Sequence, residues 1–174
     1  MSKTVAIVQA LVAAAALAAT GVCYEAYQAL QAAKAQLISN TLEPMAALVR
    51  ENTQLLDELQ AAPFAEKDSG ILESYLLKIR RDGVAKNADM KQRLDTLAEN
   101  GTALTTLIAV YLPNAKTAAF KSEAGKYKNY AAAWRDRWNS VMELFMAGGN
   151  FPAAGPAFPP GFAAAVQSES AAAR

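Results

Sequence analysis

The chain has 174 residues and a formal net charge of +1, with no histidine and a single cysteine, Cys23. That balance creates no global field toward nucleic acid or acidic lipid. It also excludes the commonest metal ligand and general base, the Ser-His and Cys-His dyads, an intramolecular disulfide and any CxxC or CxxCH centre.

Alanine dominates, with Leu, Lys, Glu and Gln behind it, while the nine Gly and seven Pro are bunched at a few places. Residues of this kind lose little on entering a helix. No run of β-branched residues has period two, so no sheet is expected. The class expected is all-α: a single N-terminal transmembrane helix (1–24), an antiparallel bundle of three long helices (25–149), and an extended Pro/Phe-rich C-terminal tail (150–174).

In chain order, the first element is an uncharged segment. Between Lys3 and Glu25 stand 21 residues without a charge, about 31 Å as a helix and close to the hydrocarbon thickness of a bilayer. Val5, Ile7, Val8, Leu11, Val12 and Leu17 supply its apolar surface. Eight alanines, Gln9 and Thr20 make it only moderately hydrophobic. Small side chains let helices approach closely, so the segment is expected to pack beside another transmembrane helix.

A cleaved signal peptide is the alternative, given the basic start Met-Ser-Lys and the small-residue sequence Ala16-Leu17-Ala18. A lipoprotein signal ending at Cys23 fits poorly, because Thr20 and Val22 occupy its Leu and small-residue positions. The uncleaved anchor is the expectation carried forward. Lys3 favours a cytoplasmic N-terminus, which places the rest of the chain on the periplasmic or extracytoplasmic side. Cys23 reads first as a small apolar residue at the membrane boundary, with acylation or an intermolecular disulfide as alternatives.

Residues 25–62 read as one helix. Leu30, Leu37, Thr41, Met45, Leu48, Asn52, Leu55 and Leu59 recur on helical steps, and Ile38, Leu42, Val49 and Leu56 widen the stripe. A wide stripe suits a bundle of three or more helices. Pro44 predicts a kink or short break near 40–44. Pro63 stops the helix, and Asp68-Ser69-Gly70 offers an N-cap with Glu73 in the following turn.

The stripe of 70–112 runs from Leu72 through Gly83, Met90, Leu97 and Gly101 to Tyr111. Its phase continues through Asn100-Gly101, so one helix of roughly 40 residues is expected, with both glycines facing a partner helix and Tyr111-Leu112 returning to the membrane interface. A break at Asn100 is the alternative. Four-spaced opposite charges (Lys78–Asp82, Asp82–Lys86, Asp89–Arg93, Lys91–Asp95) mark a solvated face.

Pro113-Asn114 ends that helix, and 116–147 carries Phe120, Ala124, Tyr127, Ala131, Trp134, Trp138, Val141 and Phe145 before Gly148-Gly149. Residues 25–62 hold two basic and five acidic side chains, and 113–149 six basic and three acidic. The opposite signs make the first and third helices plausible neighbours.

Three constellations bear on function. The aromatic stripe interleaved with Lys121, Lys126, Lys128, Arg135 and Arg137 resembles a base-stacking surface. Its aromatics sit at core spacing, so core packing is favoured and no nucleic-acid partner is expected. The carboxylates Glu51, Asp57, Glu58 and Glu73 share no apolar face and are expected in solvent. The segment NFPAAGPAFPPGFA (150–163) cannot be helical where its prolines fall. Either Phe151, Phe158 and Phe162 fold back onto the bundle, or they form with Pro152, Pro159 and Pro160 a linear docking motif for a partner.

These observations predict a non-enzymatic, membrane-anchored accessory or structural subunit of a larger bacterial envelope complex. It would need no cofactor or metal and would reach other membrane-protein subunits through its anchor and tail. An extracytoplasmic ligand-binding or sensory module, or a phage-encoded envelope or lysis protein, is the alternative. No small-molecule substrate is identified.

Overall fold

A computed structural model describes the backbone of residues 3–63, 70–151 and 158–174, with side chains from residue 20 onward in those ranges. The protein is all-α, without a strand among the described residues.

Helix α1 (Lys3–Leu37) runs through a π turn (Ile38–Leu42) into α2 (Glu43–Gln60). The interruption expected from Pro44 is this π turn. Proline offers no N–H for a regular rung. The chain therefore closes a wider one, in which the Glu43 N–H reaches back five residues to the Ile38 carbonyl. The Thr41 hydroxyl donates to the Leu37 carbonyl, so the loosened backbone stays satisfied.

The helix expected over 70–112 is two helices, α3 (Ile71–Asp82) and α4 (Ala88–Tyr111), joined by Gly83, Val84 and the 3-10 turn Ala85–Asn87. The break falls at Gly83, and the helix is continuous through Asn100-Gly101. Gly83 adopts φ 84, ψ 160, a region that essentially only glycine enters. The Asn87 side chain donates to its carbonyl at 2.7 Å. Because the helix stops there, the expected Asp82–Lys86 pair does not form. Asp82 bonds Lys78 (2.6 Å) and Arg81 (3.0 Å) instead, and these partners hold its carboxyl below the usual aspartate value.

The two glycines thus predict opposite outcomes. Gly83→Ala should destabilise by about 1–3 kcal/mol through backbone strain. At Gly101 an added Cβ would stand 3.8 Å from the Tyr127 hydroxyl, an ordinary contact. Gly101→Ala should therefore stabilise by up to about 1 kcal/mol through helix propensity. Urea unfolding of both variants measures the contrast.

Helix α5 (Ala118–Met146) begins at an N-cap, where the Thr117 side chain accepts from the Phe120 N–H at 3.2 Å. A last helix, α6 (Phe162–Ala173), corrects the expectation of an extended tail through residue 174. The prolines end at Pro160, and the Ala-rich run beyond Gly161 is free to form a helix. Pro152 lies outside the described residues, as do Asp68 and Ser69 of the expected N-cap. Gly70 occupies the N-cap of α3 without a side-chain bond.

Helix α4 returns along α2. Glu58, near the end of α2, pairs with Arg93, near the start of α4, while Met45 and Ile108 share a core at the other end. Two apolar clusters result. One joins Leu42, Met45, Leu104, Ile108, Phe120, Tyr127, Phe162 and Val166, and the other joins Leu59, Leu72, Leu76, Leu94, Leu97 and Val141. Between them in sequence, α2 and α4 each bury an asparagine, Asn52 and Asn100. Helix α6 contacts both α2 and α5, so the helices expected as direct neighbours on grounds of charge are bridged by the element the sequence reading left extended.

Among the described residues, no helix is long and apolar enough to cross a membrane. The side chains of Val5, Ile7, Val8, Leu11, Val12 and Leu17, on which the anchor expectation rests, lie outside the described residues. Only their place in the backbone of α1 is given.

Candidate interaction site

Two features stand out from an otherwise packed bundle. One is the part of α1 that leaves it, and the other is the way α6 closes it.

From residue 20 to residue 33 every side chain of α1 is exposed, and burial begins only at Lys34 and Leu37. The exposed set includes Val22, Tyr24, Tyr27 and Leu30, with Tyr27 at 57% and Leu30 at 58%. Cys23 is exposed among them. Where the chain joins the bundle, Leu37 and Ile38 enter the first apolar cluster. Large apolar side chains in such a row mark an interaction surface more often than a free one. The bundle end beside this junction also exposes Val110 and Leu112. Tyr111, expected at a membrane interface, is instead buried in the core, where its ring meets Phe120 edge-on at 5.5 Å.

The C-terminal segment folds back onto its own chain. Phe162 is fully buried, stacked on Tyr127 at 4.8 Å and tilted against Phe120 at 6.4 Å. Phe158 is partly buried and meets Tyr127 and Tyr130 edge-on at 5.9 and 5.5 Å. Pro159 is buried and Pro160 exposed. Phe151 is half-buried under Arg80, whose guanidinium lies 5.5 Å from its ring and 5.3 Å from that of Phe145. Arg80 also donates to the Phe145 and Gly149 carbonyls at 3.2 and 3.3 Å, which closes the C-terminal end of α5. The docking set is thus divided. Phe162 and Pro159 are spent on the fold, and Pro160 alone of the described members stands open.

A buried carboxylate that sequence reasoning missed locks α6 in place. Glu169 is 0% exposed. Its Oε1 accepts from the Tyr111 hydroxyl (2.9 Å) and the Lys116 N–H (2.7 Å), and its Oε2 from the Thr117 N–H (2.8 Å) and hydroxyl (2.5 Å). Burial alone would raise this carboxyl. The bonds from Thr117, Lys116 and Tyr111 outweigh burial and hold it below the ordinary glutamate value. The same carboxylate sits at the N-terminal end of α5, where a negative charge is favoured. The sequence did hold a signal: Phe162, Val166, Glu169 and Ala173 fall on four-, three- and four-residue steps, so Glu169 lies on the inward stripe.

Glu73 also departs from expectation. It is 1% exposed rather than solvated and is paired with Arg137 at 2.5 Å, tying α3 to α5. The aromatics of α5 pack in the core as their spacing predicts: Tyr127 is buried, and Trp134 and Trp138 pack against the second cluster. Burial raises the phenols of Tyr111, Tyr127 and Tyr130, the last to about 12. Burial also raises the Tyr75 phenol, and the hydrogen bond to Asp95 raises the Lys91 ammonium. Among the described residues no cluster of three or more Cys, Asp or Glu side chains is placed to hold a metal ion.

An open groove of about 1150 Å³ runs between α2 and α6, with Val49 and Val166 in its walls and Glu43, Arg50, Asp57 and Arg174 among its charged members. A scan against models of known protein families finds no match to the chain, and searches of curated proteins and of solved structures find none either.

Proposed function

We propose that the protein is a non-enzymatic structural subunit held to a bacterial envelope membrane by the first part of α1, with its bundle displayed on the extracytoplasmic side as a rigid body for assembly with other membrane-protein subunits. The observation that carries this reading is the exposed run of α1. A helix that continues unbroken from Lys3 to Leu37 and packs on its own bundle only at its end needs another environment for Val22, Tyr24, Tyr27 and Leu30. The uncharged residues 4–24 match a bilayer in length. Tyr24 and Tyr27 then fall where amphipathic rings favour the membrane–water boundary. From Tyr24 to Leu37 the helix spans about 20 Å, which makes the exposed stretch a stalk between membrane and bundle.

The buried state of Phe162 changes which part of the chain recruits partners. Removing 150–174 would take a core helix away and unfold the bundle, so docking falls to the anchor and stalk. The test is affinity purification of the full chain from native membranes in mild detergent, with mass spectrometry of the co-purifying proteins. Exchange of residues 1–24 for an unrelated single-pass helix should lose those partners while the bundle stays folded. Recovery of the same partners after the exchange would contradict docking through the anchor.

A further inference from the structure

We infer that α2 and α4 hold one buried water molecule between the side-chain amides of Asn52 and Asn100. This goes beyond the membrane reading and does not depend on it, because it stands on the interior of the bundle alone.

Both asparagines occupy core positions. Asn52 falls on the inward stripe of α2 between Val49 and Leu59, and Asn100 on that of α4 between Leu97 and Leu104. They are 3% and 9% exposed. The two helices run antiparallel, with the Glu58–Arg93 pair at one end and Met45 and Ile108 in a shared core at the other. Asn52 stands six residues from Glu58 and seven from Met45, and Asn100 seven from Arg93 and eight from Ile108. The two amides therefore stand at one level, in the interval between the two apolar clusters.

Each amide leaves one buried atom unsatisfied. Among the described residues neither Asn52 Oδ1 nor Asn100 Nδ2 has a hydrogen-bond partner, so the two do not bond each other directly. One is an acceptor and the other a donor. A polar atom left unsatisfied at such depth is destabilising, and native interiors satisfy nearly all of them. A single water donates to the first and accepts from the second, which meets both demands at once. The Tyr127 hydroxyl borders the layer from α5, 3.8 Å from where a Cβ on Gly101 would stand.

The arrangement also discriminates register. A slip of one helical turn between α2 and α4 would set Asn52 against Leu97 or Leu104, and Asn100 against Val49 or Leu56. Both amides would then be stranded among apolar side chains with no complementary group. A buried asparagine that selects one register in this way is a known use of polar residues in helical interfaces.

A crystal structure of the full chain in mild detergent, at a resolution that shows ordered water, should place one water within about 3.2 Å of both side-chain amides. Amides in direct contact, or each paired with a different group, would overturn the bridge. Urea unfolding of the full chain reads it independently. Asn52→Leu or Asn100→Leu fills the position of the water and strands the opposite amide. Each should raise the unfolding equilibrium constant at least about tenfold, or about 1.4 kcal/mol. The double variant strands nothing and should raise it by less than either single change. Costs that add in the double variant, or single variants as stable as the wild type, would overturn the coupling. If a single variant fails to fold, the wild-type crystal structure decides by itself. None of these outcomes bears on whether the chain partitions into membranes, so the two readings fail separately.

Discussion

Phe162→Ala should lower the stability of the fold by about 3–5 kcal/mol, the range for removing a fully buried phenylalanine ring. For a chain of this size that corresponds to a fall in Tm of roughly 6–20 °C. The ring has no exposed surface and lies between Tyr127 and Phe120. Its loss opens a cavity where α6 meets α5, which rigid helices fill only in part. Phe158→Ala, at a partly buried position that meets the same aromatic row edge-on, should cost less than half as much. Thermal unfolding followed by near-ultraviolet circular dichroism reads both. An unchanged midpoint for Phe162→Ala would mean that α6 is not part of the core.

Glu169→Ala should cost about 3 kcal/mol, because it strands the Tyr111 hydroxyl, two backbone N–H groups and the Thr117 hydroxyl around a cavity. Glu169→Gln keeps the shape but presents an amide donor to groups that are themselves donors, so it recovers only part of the loss. The pH dependence has a definite sign. The folded carboxyl lies below its unfolded value, so its contribution is complete above the unfolded pKa and is lost as pH falls through the folded one. The wild-type chain should therefore lose stability from about pH 4.3 downward, and Glu169→Gln should show a shallower acid limb in urea unfolding. Parallel acid limbs would remove Glu169 from the latch.

What the sequence made legible was periodicity. The stripes of 25–62 and 116–147 place Met45, Leu59, Phe120, Tyr127 and Val141 in the core where they are found. The interruption near Pro44 was readable because proline removes a specific hydrogen bond. Two things were hidden by the same reasoning. The phase of 70–112 survives the break at Gly83, since one glycine in an unusual conformation and a short 3-10 turn can return the chain to the same face. Periodicity reports which face is apolar and says nothing about continuity of the backbone. The tail misled for a different reason. Its prolines announced an extended segment, and the alanine run behind them carried too little hydrophobic contrast to announce α6. Only Phe162, Val166 and Glu169 mark its inward face.

Charge was misleading where it was buried. Glu73 reads as a surface group, and Glu169 attracts no reading at all, because carboxylates are rarely buried unless paired. Their partners, Arg137 and the start of α5, are distant in sequence. Helices α5 and α6 thus meet through a carboxylate that takes the capping role a local side chain plays elsewhere. Helix α6 therefore fastens the bundle, and the exposed row of apolar side chains lies on α1.

Membranes from cells producing the full chain can be stripped with alkaline carbonate and floated on a density gradient. If the first part of α1 is an anchor, the protein floats with the bilayer after extraction, and a chain beginning at Glu25 stays behind in the soluble fraction with its bundle intact. Release of the full chain by carbonate, or flotation of the chain that lacks residues 1–24, would contradict the anchor.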